Sequence, residues 1–242
     1  MFSRTRLLCK ASSDAGGYMM TGALKTSRPK KVLVTGAVGQ VGQEFVPYLR
    51  KIYGDDNVIA TDVRSPPTDL YEAGPFQYID VLEKTQMSRL VVEENVKTIV
   101  HLAAVLSATG EQHPHLALSI NNEGTQNIFE LARVNNIKVF CPSTIAVFGP
   151  TTPKMDTPDD VVMRPTTMYG VTKVHTELLG EYYNRKFGLD FRSLRYPGVI
   201  SSKSLPGGGF SFHTYIHVCI YIHTEIHAYI HVYNHAYLSL SI

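Results

Sequence analysis

Tyr169 and Lys173 stand four residues apart in the stretch 166–180, TTMYGVTKVHTELLG. On a helix, positions i and i+4 share one face a turn apart, so this spacing sets a phenol beside an ammonium. The chemistry that suits the pair is oxidation of an alcohol. A phenol ordinarily titrates at about 10, too high for a base at neutral pH. A fixed ammonium close by favours the phenolate. Tyr169 can then take a proton from a substrate hydroxyl while Lys173 holds it anionic. An amphipathic helix with an incidental Tyr and Lys shows the same pattern, so the weight of the argument lies upstream.

There, Lys31-Val-Leu-Val-Thr35 is a short buried-strand run, and glycines follow at once in Gly36-Ala37-Val38-Gly39-Gln40-Val41-Gly42. This G-x-x-G-x-x-G is a variant of the dinucleotide fingerprint. The first Gly permits the tight turn, the second lets backbone approach a pyrophosphate, and the third lets helix pack on strand. A helix over Gln40–Tyr53 would present unpaired N–H groups to the phosphates. Pro47 lies inside that helix and predicts a kink, without any functional account. Asn57-Val-Ile-Ala-Thr61 reads as the second strand and runs into Asp62, Val63 and Arg64. A carboxylate at Asp62 can bond the ribose hydroxyls and repels a 2′-phosphate, which favours NAD over NADP; Arg64 argues the other way, since an Arg can accommodate that phosphate.

Further short apolar runs follow: Phe76–Ile79, then Asp80 and Val81, whose side chains suit an adenine pocket or an ordinary loop; Thr98–Leu102, with a small-residue exit at Ala103 and Ala104; Ile137–Cys141, then Pro142, Ser143 and Thr144; and Asp190–Arg195. Helical patterns lie between them, over Lys84–Glu94 and from Pro114 to about Val134. Strands and helices alternating in this way predict an α/β fold: a Rossmann-like doubly wound parallel sheet with helices on both faces. Ligands in such sheets bind beyond the carboxyl ends of the strands, where Gly36, Asp62, Asp80, Leu102, Ala103, Ser143 and Thr144 should gather.

Composition narrows the partners. The 242 residues are 44% hydrophobic with a net charge of +2, ordinary for a soluble globular chain and too mild for a nucleic-acid binder. Cys9, Cys141 and Cys219 are too scattered for a disulfide framework or a C-x-x-C site. The first stretch carries Arg4, Arg6 and Lys10 and no acid before Asp14, the composition of a mitochondrial transit peptide; the fold is expected to begin after residues 1–29. The last stretch, 210–242, is a Tyr-, Ile- and His-rich repeat holding six of the ten histidines. His223, His227, His231 and His235 stand at i, i+4 steps, one stripe if helical, but no acid or Cys constellation accompanies them and low-complexity repetition generates such spacing, so no metal is expected. His, Asn and Glu interrupt the run, so no membrane span is expected either.

With TGAVGQVG, HLAA, PSTIAVFG and MYGVTK in line, residues from about Lys31 to Gly209 resemble the extended short-chain dehydrogenase/reductases. The longer pieces HLAAVLSATGE, PSTIAVFGPTTPK, RPTTMYGVTKVHTELLGEYY and LDFRSLRYPGVIS are most similar to the short-chain family of L-threonine 3-dehydrogenases. That resemblance implies NAD as cofactor, L-threonine as the small-molecule substrate, 2-amino-3-oxobutanoate as product, a homodimer and the mitochondrial matrix. It implies Tyr169 as acid/base and Lys173 as its neighbour on the nicotinamide ribose. It places Thr144 on the reacting oxygen, with the adjacent Ser143 left open, and Ser107 on the substrate. Gly36–Val41, Asp62, Val63, Arg64, Asp80, Val81 and Val199 match cofactor-binding positions. After Gly209 the likeness stops. A dinucleotide domain over 30–209 is therefore expected, with the family's C-terminal substrate domain largely missing and activity reduced. A nucleotide-sugar epimerase or dehydratase, or a non-catalytic NAD-binding remnant, would share the same scaffold.

Overall fold

The computed structural model describes residues 31–158 and 160–199, and the backbone of 216–222 and 226–232. In chain order the elements are β1 (Lys31–Thr35), α1 (Gln40–Tyr53), β2 (Val58–Asp62), α2 (Thr68–Glu72), β3 (Phe76–Tyr78), α3 (Lys84–Glu93), β4 (Val96–His101), α4 (Ser107–Gln112), α5 (Pro114–Ala117), α6 (Thr125–Asn135), β5 (Lys138–Phe140), β6 (Ser143–Thr144), α7 (Met168–Phe187), β7 (Phe191–Arg192), β8 (Arg195–Tyr196), β9 (Ile216–Ile222) and β10 (Ile226–Val232). Six strands pair in parallel in the order β3-β2-β1-β4-β5-β7. That is the order of a doubly wound dinucleotide fold, with its switch point between β1 and β4.

The central strands read as unbroken apolar runs because both of their faces are covered. Val32 and Val34 of β1 meet Phe45, Val46 and Leu49 of α1 in one core. Leu33, on the opposite face, joins Met87 and Leu90 of α3 and Ile128, Phe129 and Ala132 of α6 in the other. β2 divides its side chains the same way, Val58 and Ala60 against Ile59. The helices stop where left-handed backbone is supplied: Asn136 (φ 52°) ends α6 and Gly188 (φ 70°) ends α7. α1 runs on through Pro47 to Tyr53.

Several expectations need correction. The helix expected from Pro114 to about Val134 is not uniformly α. Its middle, Leu118–Gly124, is a π turn that adds a residue to the repeat. That turn holds Asn121, buried, whose amide clamps the backbone of Val105 (Oδ1 from N, 2.7 Å; Nδ2 to O, 3.0 Å) and donates to Thr172 of α7 at 3.0 Å. The strand expected over Asp190–Arg195 is divided into β7 and β8, with Ser193 and Leu194 between them, although Cys141 N to Arg192 O at 3.0 Å and Ser143 N to Leu194 O at 2.8 Å carry the bonding past Pro142. Val139 pairs with Phe191 and Ser143 with Arg195 at the same offset, 191 − 139 = 195 − 143 = 52, so one ladder continues across the break. Ser107, for which no element was expected, begins the short helix α4. In the repeat region the described backbone is strand, so the i, i+4 spacing of histidines does not form a helical stripe there. His227 and His231 lie in an antiparallel pair of strands, where residues two apart share a face, and His217 is registered opposite His231. His223 and His235 fall outside the described residues, as do residues 1–30.

Candidate active site

The glycine loop occupies the switch point. Gly36 takes φ +67°, and a Cβ there would lie 2.5 Å from the Ala103 amide nitrogen, so the first turn passes against the exit of β4. Two bonds close that seam: Leu102 N to Thr35 O at 3.0 Å and Ala103 N to Thr35 Oγ1 at 3.4 Å. A Cβ on Gly42 would lie 2.5 Å from the Ala37 carbonyl, which lets α1 rise directly from the loop. The helix cap is Gly39, with no side chain bonded to the first amides and no acid in the first turn. Those amides are therefore available to an anion, and the helix's own first turn holds no acid to oppose one.

Asp62, 6% exposed, accepts from the Val38 amide at 2.9 Å and from the backbone of Arg64 at 3.0 Å. The Arg64 guanidinium folds over the same carboxylate at 3.2 and 3.3 Å while its side chain remains 61% exposed. A diol reaching Asp62 would displace a solvated guanidinium, whose surface ion pair is worth little. Gln40 reaches across the loop to the Val199 carbonyl at 3.0 Å, bringing Val199 to the glycine edge. Asp80 turns one oxygen to the Leu82 amide at 3.0 Å. Val81 is buried under the π turn, where a Cβ on Gly124 would meet it at 2.7 Å. Val63 is exposed, Ala104 half-buried, and Ser107 half-buried at the first position of α4. These residues, from four strand ends and the segment after β8, converge on a single sheet edge, and the cradle fits a dinucleotide.

Beside the loop stands α7. Thr167 caps it by accepting from the Gly170 amide at 3.1 Å, and Glu111 of α4 accepts from Met168 N at 2.7 Å. A Cβ on Gly170 would lie 2.3 Å from the Ala146 carbonyl, so the first turn of α7 presses on the loop after β6. Lys173, buried, donates from Nζ to the Pro142 carbonyl at 2.9 Å, and its nitrogen lies 5.7 Å from the Tyr169 ring centroid. Thr144, two residues after Pro142, accepts from the Ala146 amide through Oγ1 at 3.1 Å. Tyr169, Lys173 and Thr144 are thus brought together. Ser143 is turned elsewhere: buried, it donates to Oε1 of Glu177.

Two features were missed from the sequence. Glu177, eight residues past Tyr169, could have been found on the same helical face; its partner Arg195 could not. His101 is 1% exposed, with Nδ1 2.8 Å from Thr35 Oγ1 and Nε2 3.3 Å from Thr125 Oγ1. Burial, reinforced by the Lys173 ammonium, pushes its pKa down to about 3, so the ring is neutral.

Comparison with known proteins bears on the same edge. The profile described as the NAD dependent epimerase/dehydratase family matches residues 32–226. The chain is 47% identical over 180 residues to the mitochondrial L-threonine 3-dehydrogenase of Bos taurus, covering 74% of this chain and 48% of that protein. It is 49% identical over 181 residues to an uncharacterized epimerase/dehydratase of Staphylococcus aureus, covering 74% and 56%. The solved L-threonine dehydrogenase of Phytophthora infestans superposes with a TM-score of 0.71 at 57% identity, covering 74% and 57%. The chain spans about half the length of the curated relatives it matches.

Proposed function

The chain belongs to the NAD dependent epimerase/dehydratase family, and on that footing we propose that it binds NAD and oxidises the β-hydroxyl of L-threonine to 2-amino-3-oxobutanoate. The observation that carries this reading is the grip of α7 on the strand end. Lys173 is fastened to Pro142, two residues before Thr144, and Tyr169 sits one turn back along the same helix face.

Gly36–Gly42 and the first amides of α1 would hold the pyrophosphate. Asp62 with Val63 and Arg64 would hold the adenosine ribose, Asp80 and Val81 the adenine side, and Leu102, Ala103, Ala104 and Val199 the nicotinamide side. What NAD supplies when bound is an acceptor for the hydride from the β-carbon. Tyr169 takes the hydroxyl proton onto its phenolic oxygen. Lys173, held by one carbonyl, keeps a positive charge beside that oxygen and stabilises the anion while the proton moves. Thr144 gives one lone pair to the Ala146 amide, which leaves its own proton to donate to the reacting oxygen. Ser143 has already committed its proton to Glu177. Ser107, at the start of α4, is the further contact to the substrate.

L-Threonine as substrate rests on the bovine and Phytophthora relatives. The test is NADH formation by the purified chain with L-threonine, set against UDP-sugars. Turnover of a nucleotide sugar without threonine oxidation would replace this reading with the epimerase or dehydratase one that the Staphylococcus relative's name favours. NAD binding with neither turnover would leave a binding module.

Residues 30–209 are the NAD-binding unit that holds Tyr169 and Lys173, and 1–29 direct the chain to the mitochondrial matrix, a reading supported by Arg4, Arg6 and Lys10 and by the bovine relative's name. A fluorescent reporter fused behind 1–29 that stays outside mitochondria would overturn the targeting. The chain pairs with a second copy through α7, whose exposed Val171, Leu178 and Tyr182 form an apolar stripe at helical spacing. Sedimentation at monomer mass would refute that. No helix among the described residues is long and apolar enough to cross a membrane.

A further inference from the structure

Glu177 lies one turn beyond Lys173 on α7, and the two grip consecutive residues of the same strand end. Lys173 bonds the Pro142 carbonyl, and Glu177 takes the Ser143 hydroxyl. The next residue is Thr144. Arg195, registered opposite Ser143 in β8, closes the arrangement from the other side. Its guanidinium forks onto Glu177, Nε to Oε1 at 3.0 Å and Nη2 to Oε2 at 2.8 Å. The same group lies 5.2 Å over the Phe148 ring and bonds Met163 Sδ at 3.3 Å, so it also ties down the loop between β6 and α7. The Glu177 and Arg195 side chains are 10% and 24% exposed, shielded enough that geometry, not salt, governs the pair.

We propose that Ser143, Glu177 and Arg195 form a positioning network that sets Thr144 against Tyr169, and that Ser143 acts through Glu177 instead of on substrate; the assignment rests on the reading of Thr144 and Tyr169 as the two contacts to the reacting oxygen. Two rigid links on adjacent residues fix both the distance and the rotation of the strand end relative to α7. One link alone would leave Thr144 free to pivot about Pro142. A planar fork on a carboxylate is the most directional ion pair available, and it selects one rotamer of Glu177. Ser143 then has a single acceptor, and its backbone is held to match.

The test uses Ser143→Ala, Glu177→Gln, Arg195→Met and Arg195→Lys in the full chain, read by threonine-dependent NADH formation, NADH affinity by fluorescence, and thermal midpoint. Misplacing a reacting contact by about 1 Å costs on the order of 10²-fold. Glu177→Gln and Arg195→Met should therefore lose kcat by about 10- to 100-fold with NADH affinity unchanged. Ser143→Ala should fall between them and the unmodified chain, and Arg195→Lys should recover part of the Arg195→Met loss. Variants that melt earlier but keep full kcat per folded molecule would show a merely structural network and overturn the proposal. If the unmodified chain oxidises no threonine, the functional reading fails, and the network is judged on crystal structures. A change of about 1 Å in the Thr144–Tyr169 oxygen separation in Glu177→Gln, on an unmoved sheet, supports it; an unchanged separation refutes it.

Discussion

Acid should unfold this protein through His101. The ring is fully enclosed, both nitrogens face threonine hydroxyls, and the Lys173 ammonium adds to the cost of a second positive charge. Its pKa is about 3 in the folded chain against about 6.5 for an exposed histidine. The folded state therefore binds fewer protons than the unfolded state throughout that window, and stability must fall as pH falls. The contribution is complete above about pH 6.5 and drains away down to about pH 3. One pKa unit is worth about 1.4 kcal/mol, so lowering the pH from 7 to 5 spends about 1.5 units and should cost about 2 kcal/mol. Urea unfolding at pH 7 and pH 5 measures this directly. In His101→Gln, a neutral amide that can still reach a threonine hydroxyl, the loss between those pH values should shrink by about that amount. His175, half-buried and with its pKa also lowered by burial, contributes in the same direction and is untouched by the substitution. The lowered carboxyls of Glu130 and Asp190 act at more acid pH. Equal losses in the unmodified chain and the variant would refute the assignment of a neutral, enclosed His101.

Tyr169→Phe keeps the ring and removes the proton acceptor, so threonine oxidation should fall at least about 10²-fold in steady-state kinetics while NADH fluorescence titration shows binding retained. Asp62→Ala removes the acceptor for the ribose and for Val38, and should weaken NAD by about 1–3 kcal/mol while NADP is weakened less, read by calorimetry with both dinucleotides. Gly36→Ala forces a side chain into left-handed backbone and against the Ala103 amide, so NAD binding should be lost and the thermal midpoint should drop together.

Local signals were enough to read a good deal of this protein from its sequence. The strand–glycine–helix order of Lys31–Tyr53 is legible because each step, a buried run, a turn that only Gly allows and an amphipathic helix, depends on neighbours in the chain. The pairing of Tyr169 with Lys173 is legible because helical periodicity alone puts them on one face, and the alternation of strands and helices predicts the parallel sheet and its functional edge. What the chain order could not decide was which of Ser143 and Thr144 has a hydroxyl to spare. That depends on Glu177 and Arg195, which reach the strand end from a helix and a strand 34 and 52 residues further on. The π turn at Asn121 and the burial of His101 between Thr35 and Thr125 arise in the same way. Each is settled by hydrogen-bond partners that meet only after the sheet has closed, and a periodicity carries no record of a partner contributed by another element.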